Sequence, residues 1–330
     1  MRIGILTSGG DCPGLNAGVV EAHARILAAG ATPVLVPDGY AGLQRGAFVA
    51  VDSDRLALSA RMGGSVLGSS RTNLGKDGAL EQALVGLRSL DLGAVLVFGG
   101  DGSLRGVSRL ADAGILAAGV PKTIDADVGC TEETIGFATA VQTGCSAIEA
   151  IDDTRRSHRS SFIVEVMGRR SGLLAAAIAR AADADGVVVP EHDWSVNDLR
   201  ARLSGSHGGL VVVAESAWSK DLGPQALGAN QKPVVGGVVP VLESALVQLG
   251  LPRVRTVSLG HLLRGGSPVA ADRILARRLA ACAVSELLAS RSCLVVVRDG
   301  RIKPVPASEG FAPRRFLTAN DLAELGSLLI

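Results

Sequence analysis

Short apolar runs alternate along this chain with stretches of helical period. The runs predict strands at 2–7, 33–37, 94–98, 117–120, 162–166, 187–190, 210–214, 235–238, 255–258 and 293–298. The segments between them predict helices over 15–29, 79–89, 103–113, 134–151, 171–182, 195–203, 240–249 and 269–289. The last helix follows Gly265-Gly266-Ser267-Pro268, a stop-and-start signal, and Ala271–Leu279 repeats its apolar positions at amphipathic spacing. Strand–helix alternation of this kind builds parallel βαβ units. The polar, turn-rich stretch 219–232 reads as a surface loop, and the tail beyond Ser308 carries no recognisable chemistry.

At 330 residues, two lobes are expected rather than one. Glycine is abundant, 42 residues, and its excess falls at strand ends, as in an α/β enzyme. The net charge of +1 provides no basic field for nucleic acid or a membrane surface, and 3% aromatics leave few platforms for base stacking. Nucleic acid and membrane are therefore excluded as partners. Five scattered cysteines (Cys12, Cys130, Cys145, Cys282, Cys293) form no CxxC and read as reduced thiols of a cytoplasmic protein. The chain opens on a strand-like run without a signal peptide's apolar core, and no 18 consecutive residues are apolar.

The candidate chemistry lies where apolar runs end. Ile3–Leu6 runs into Thr7-Ser8-Gly9-Gly10-Asp11-Cys12-Pro13-Gly14-Leu15-Asn16, and Ala94–Phe98 runs into Gly99-Gly100-Asp101-Gly102-Ser103. Neither is a Walker A loop or a spaced dinucleotide fingerprint. One such loop is as consistent with a tight turn as with a site. Two of them, each leading into a helix start, aim backbone N–H groups and helix N-termini at an anion. An aspartate there repels phosphate unless a divalent cation lies between, so the pair points to phosphate and Mg²⁺ on a parallel sheet. The next segment is Gly119-Val120-Pro121-Lys122-Thr123-Ile124-Asp125-Ala126-Asp127. Two carboxylates two residues apart, beside a lysine, suit phosphoryl transfer: one takes the proton of an attacking hydroxyl, the other orients it or holds the metal. The plainer alternative is an Asp-rich turn with Asp127 as a helix cap. Val164–Arg169 ends a strand with an arginine suited to neutralising a transferring phosphoryl group, or to a surface ion pair. Arg255, His261 and Arg264 bracket another strand end and suit a substrate's existing phosphate.

These segments together resemble the 6-phosphofructokinase family. The matching blocks are Thr7–Asn16, Asp38–Tyr40, Gly63–Arg71, Gly99–Ser103, Pro121–Asp127, Val164–Arg169 and Leu259–Pro268, in the family's order from residue 1 to about 290. The resemblance implies an α/β fold of two Rossmann-like lobes with largely parallel sheets, the active site in the cleft between them, usually in a homotetramer. It implies a larger nucleotide- and Mg²⁺-binding lobe, 1–137 plus about 256–300, and a smaller sugar-phosphate lobe, 138–255 plus about 301–330. The implied reaction is Mg²⁺-dependent transfer from ATP to the 1-hydroxyl of fructose 6-phosphate, giving fructose 1,6-bisphosphate. Carried over by position, Asp125 is the general base, Asp127 its partner, Arg169 the transition-state cation, and Thr123 a hydrogen-bonding group near the transferred phosphoryl. Asp101 holds Mg²⁺. Gly10, Arg71, Gly102, Ser103 and Lys122 contact the donor, and Tyr40 flanks its nucleotide. Met167, Gly168, Glu215, His261 and Arg264 line the sugar-phosphate site, and Arg255 reaches in from a neighbouring subunit. Donor choice follows position 102: Gly102 is of the nucleotide type, since an aspartate there would repel the α-phosphate, whereas Lys122 is of the pyrophosphate type. The reading is ATP, with pyrophosphate the alternative.

Three positions depart from the family's pattern. Ala126 stands where asparagine is usual. Ser160 replaces an arginine that contacts the substrate 6-phosphate across the subunit interface; a contact of that kind is worth roughly 1.5–3 kcal/mol. Val20 and Ala24 replace effector-binding arginines, so nucleotide allostery is not expected. The changes leave open a different sugar phosphate or polyol as acceptor, or a non-catalytic regulatory member. The retained Asp101, Asp125, Asp127 and Arg169 argue against the last.

Overall fold

The computed structural model describes all residues except 51, 206–207, 220–221, 223–237 and 252. First along the chain come β1 (Arg2–Ser8), α1 (Leu15–Ala28), β2 (Thr32–Val36), the short helices α2 (Gly39–Gln44) and α3 (Ser53–Ser59), and α4 (Ala79–Ser89). Then follow β3 (Ala94–Gly99), α5 (Asp101–Asp112), β4 (Leu116–Pro121), the long α6 (Phe137–His158) and β5 (Ser161–Val166). Next are α7 (Leu173–Ala181), β6 (Gly186–Val188), α8 (Val196–Leu203), β7 (Leu210–Ala214), α9 (Val239–Gln248) and β8 (Val254–Ser258). Last are α10 (Ala270–Leu288), β9 (Cys293–Arg298), β10 (Arg301–Pro306) and α11 (Ala319–Leu325). Among the described residues no helix is long and apolar enough to cross a membrane.

The chain divides into two compact units. The first comprises Met1–Thr139 and Arg264–Arg314. Its six-stranded sheet has the order β10-β9-β4-β3-β1-β2, parallel except for the β9–β10 hairpin. Every residue of β3 is buried, which is why its sequence is apolar without alternation. On one face Val95 and Val97 pack with Leu6, Val36, Tyr40, Leu43, Leu87, Leu104 and Val107 in one core. The hairpin turns on Asp299-Gly300, both at positive φ (53° and 65°), the backbone of a tight two-residue turn.

The second unit comprises Ala140–Leu263 and Arg315–Ile330. Its sheet is wholly parallel, in the order β6-β7-β5-β8. The chain's end belongs to it: the Ile330 N–H donates to the Val187 carbonyl at 3.1 Å, and α11 starts on a Thr318–Asp321 capping box.

The fold is thus α/β, in two units with largely parallel sheets. The unit boundaries differ from those expected at about 256 and 301. β8 pairs with β5, which keeps the chain in the second unit to Leu263; β10 pairs with β9, which keeps it in the first to Arg314. The helices α2, α3 and α11 and the strand β10 were not expected. Of the strand expected at 235–238, residues 235–237 lie outside the described residues, as does most of the loop expected at 219–232, and Val238 caps α9.

Candidate active site

In the first unit, parallel register sets Ser8 of β1 opposite Gly99 of β3, and Gly99 opposite Pro121 of β4. The three loops that follow therefore emerge side by side at the carboxyl edge of the sheet, where open α/β sheets bind ligands.

The first loop is bare backbone held from below. Gly9 and Gly14 sit at φ +88° and +89°, and a Cβ on Gly10 would stand 2.7 Å from Arg264 Nη1. Lys122, fully buried, donates from Nζ to the Ser8 carbonyl at 2.9 Å and to the Gly10 carbonyl. Burial pulls the Lys122 pKa down, reinforced by Arg264 and opposed by Cys12, Asp11 and Asp125. Ser69 Oγ donates to the Gly9 carbonyl at 2.6 Å, and the Gly9 N–H donates to the Ser70 carbonyl at 2.9 Å. That lacing brings Arg71, exposed to solvent, to the first loop. Cys12 is no nucleophile: burial pushes its thiol up to about 12.

The second loop opens α5. Asp101 is its first residue, and Gly102 follows with open space where a Cβ would stand. Ser103 is buried, its carbonyl accepting from the Tyr40 hydroxyl at 2.7 Å. Tyr40, expected beside a nucleotide, is instead fully buried in the core beneath α5, with its ring against Gly106. The sequence places it correctly near the loop; its apolar neighbours turn it inward.

The third loop carries Thr123, Asp125, Ala126 and Asp127, each at most 7% exposed. Thr123 Oγ1 accepts from the Asp125 N–H at 3.1 Å and so shapes the turn. Ala126 adopts φ 52°, a left-handed conformation that asparagine and glycine hold at lower cost. Asp125 Oδ1 has no hydrogen-bond donor; its nearest counter-charge is Arg264 Nη2 at 3.8 Å. Arg264 also donates from Nη1 to the Asp11 carbonyl at 3.1 Å, joining the first and third loops.

Two further arginines complete this charge cluster, and neither was expected. Arg105, one turn along α5, approaches Asp101 Oδ1 at 3.4 Å. Arg314 contacts Asp101 Oδ2 through Nε at 3.3 Å and Nη2 at 3.2 Å, and Asp127 Oδ2 through Nη1 at 3.4 Å. The Arg105 contact is an i,i+4 helix pair readable from spacing. Nothing local in the sequence marks Arg314.

In the second unit, β5, β7 and β8 likewise end together. Gly168 (φ +147°) and Arg169 (φ 58°) turn sharply after β5, and both N–H groups donate to Glu215 Oε1 beyond β7, at 3.3 and 2.7 Å. This leaves Met167 half-buried and Arg169 exposed. Glu165, also not expected, is buried inside: it accepts from Ser258 Oγ at 2.9 Å and the Val238 N–H at 2.8 Å, while burial raises its pKa. His261 is exposed on the short 3₁₀ helix Gly260–Arg264. Arg255 is not brought to this cluster: it is exposed on edge strand β8, opposite Phe162 near the start of β5. Ser160 is buried and its hydroxyl has no hydrogen-bond partner.

Comparison with known proteins adds what geometry alone does not. The phosphofructokinase family model matches residues 2–287. The chain belongs to the phosphofructokinase family. It is 37% identical over 298 residues to an ATP-dependent 6-phosphofructokinase of Halothermothrix orenii, covering 88% of each chain. It is 38% identical over 291 residues to ATP-dependent 6-phosphofructokinase 3 of Streptomyces coelicolor, covering 84% of this chain and 85% of that one. Among solved structures, Pichia pastoris phosphofructokinase in the T-state superposes with a TM-score of 0.81 at 28% identity, over 94% of this chain and 35% of that longer one. A pyrophosphate-dependent phosphofructokinase of Nitrosospira multiformis, 21% identical, shares the phosphofructokinase fold with a TM-score of 0.82 over 97% of this chain and 86% of that one.

Proposed function

We propose that this phosphofructokinase-family chain is an ATP-dependent 6-phosphofructokinase, transferring a phosphoryl group to the 1-hydroxyl of fructose 6-phosphate. The observation that carries the reading is Asp125 Oδ1: a carboxylate oxygen buried at the mouth of the glycine loops with no hydrogen-bond donor. Buried polar atoms are ordinarily satisfied, and an orphan at such a place awaits a ligand's proton. Asp125 takes the proton of the acceptor hydroxyl, with Arg264 as its fixed counter-charge. Gly10 and the first turn of α5 present N–H groups to the donor phosphates, with Arg71 beside them. Arg169, exposed on its tight turn and braced through Glu215, is the cation for the transferring group.

The carboxylates fit a divalent metal. One guanidinium reaches both Asp101 Oδ2 and Asp127 Oδ2, so a single cation can serve both. Two carboxylates suit Mg²⁺ completed by donor phosphates and water. Asp101, with Asp127, would hold it; when bound it neutralises charge on the donor phosphates.

Lys122 is a brace for the first loop, since its ammonium is taken up by two carbonyls, and so carries no weight for pyrophosphate. Gly102 decides the donor. With open space at its Cβ, Gly102→Asp should fold normally yet lower kcat/KM for ATP at least roughly tenfold by like-charge repulsion. Unchanged ATP kinetics in that variant would remove the argument.

The oligomer and its compartment complete the reading. The exposure of Arg255 on an edge strand apart from Met167–Arg169 supports its action on a neighbouring subunit, and sedimentation should show a tetramer. The five cysteines are free and four of them buried, in keeping with a cytoplasmic protein. Burial of Ser160 favours a second reading, a different sugar phosphate as acceptor, because no cation stands at that position. Initial rates crossing ATP and pyrophosphate with a panel of sugar phosphates separate the two. Turnover of fructose 6-phosphate with ATP is expected. Activity on another acceptor alone would replace the substrate, and no transfer from either donor would overturn the reading.

A further inference from the structure

The segment after β10 is built into the first unit by contacts that have no part in the reaction. Ser108 Oγ donates to the Ala307 carbonyl, Glu309 pairs with Arg298, and Arg109 lies over the Phe311 ring at 5.5 Å. Gly310 packs on α5 so closely that a Cβ would stand 2.6 Å from the Leu104 carbonyl. At Gly129 a Cβ would overlap the Pro313 carbonyl, so the backbone beyond Asp127 and the tail touch directly. This strap ends by delivering Arg314 onto Asp101 and Asp127, one residue before the chain enters the second unit.

We propose that Arg314 is an internal counter-cation of the donor site: with no donor bound its guanidinium bridges Asp101 and Asp127, and the metal carried by the donor takes its place. The proposal rests on the Mg²⁺-dependent reading above. Two buried carboxylates that must both be charged for a metal repel each other without a cation between them. A planar guanidinium reaches both through separate nitrogens, as a lysine's single ammonium does not. It lies against Asp101 and Asp127, the residues that would hold the metal, and two cations do not crowd one carboxylate pair without repulsion. Arg314 is thus a positioning residue. It holds the pair in place, and it raises the threshold for free metal so that metal arrives with the donor.

The test is Mn²⁺ binding to the full chain without nucleotide, read from the free-ion electron paramagnetic resonance signal, for wild type, Arg314→Met and Arg314→Lys. Arg314→Met should bind Mn²⁺ at least roughly tenfold more tightly than wild type, because the competing cation is gone. A strap anchor without the counter-cation role would lower the unfolding midpoint and leave Mn²⁺ affinity unchanged, and that result would overturn the proposal. Should the methionine variant fail to fold, Arg314→Lys decides: a gain of about threefold supports displacement, since one ammonium cannot keep the three contacts that Nε, Nη1 and Nη2 make, and no gain refutes it. Wild-type turnover with Mg²⁺ and ATP keeps the two ideas apart. Turnover with no gain in either variant sinks the counter-cation alone, whereas no turnover, with no Mn²⁺ bound even beside ATP, sinks the underlying reading as well.

Discussion

Replacing Asp125 with asparagine should lower kcat by roughly 10³-fold, within the range for loss of a general base, while donor affinity stays within about threefold. The expectation follows from what the side chain touches. The Asp125 N–H, not its carboxylate, shapes the turn through Thr123 Oγ1, so an isosteric amide preserves the loop. The donor-side groups are the first loop and α5, and they are braced by Lys122, Ser69 and Tyr40. None of these contacts the Asp125 carboxylate. Asparagine turns its oxygen, an acceptor, either toward the Arg264 guanidinium or toward the acceptor hydroxyl, and in neither orientation can it take the proton. Steady-state rates with nucleotide titration by calorimetry check this. If kcat drops less than tenfold, or donor binding falls in step with turnover, Asp125 is not the base.

How much of this was legible in the sequence depends on how local each feature is. The three loops were readable because a glycine pair or an Asp pair at the end of an apolar run carries its own signal. Register then does the rest: Ser8, Gly99 and Pro121 align by the pairing of adjacent parallel strands, so loops spread over more than a hundred residues gather at one edge. The hairpin of β9 and β10 was also readable, from Asp299-Gly300 after an apolar run, and its omission moved the expected unit boundary. Orientation was not legible. Tyr40 sits beside the site in sequence but points into the core against α5, and Lys122 is buried under the first loop on the Ser8 and Gly10 carbonyls. Arg264 was expected among sugar-phosphate contacts, yet its guanidinium lies on Asp11 and Asp125. Arg314 meets Asp101 across a separation of 213 residues, with no motif at either end that calls for the other. Long-range charge pairing of this kind is fixed by the path of the tail over α5, which only the assembled fold determines.

The ion pair of Asp125 with Arg264 supplies the other large effect. Arg264→Met should destabilise the protein by roughly 3–5 kcal/mol, the cost of leaving one member of a buried pair uncompensated. Both side chains are under 10% exposed, and Asp125 Oδ1 has no other donor to turn to. The Asp11 carbonyl would lose its donor at the same time. The double variant Asp125→Asn/Arg264→Met is expected to be more stable than Arg264→Met alone, because the stranded charge is removed with its partner. Urea unfolding of wild type, both single variants and the double variant gives the coupling directly. A coupling of about 1 kcal/mol or more is the signature of charge compensation within the site. Additive single effects would mean that Arg264 stabilises the protein through the Asp11 carbonyl and packing against Gly10, not through Asp125. In that case the general base would need its counter-charge from the acceptor side, and Arg264→Met would spare kcat while lowering stability.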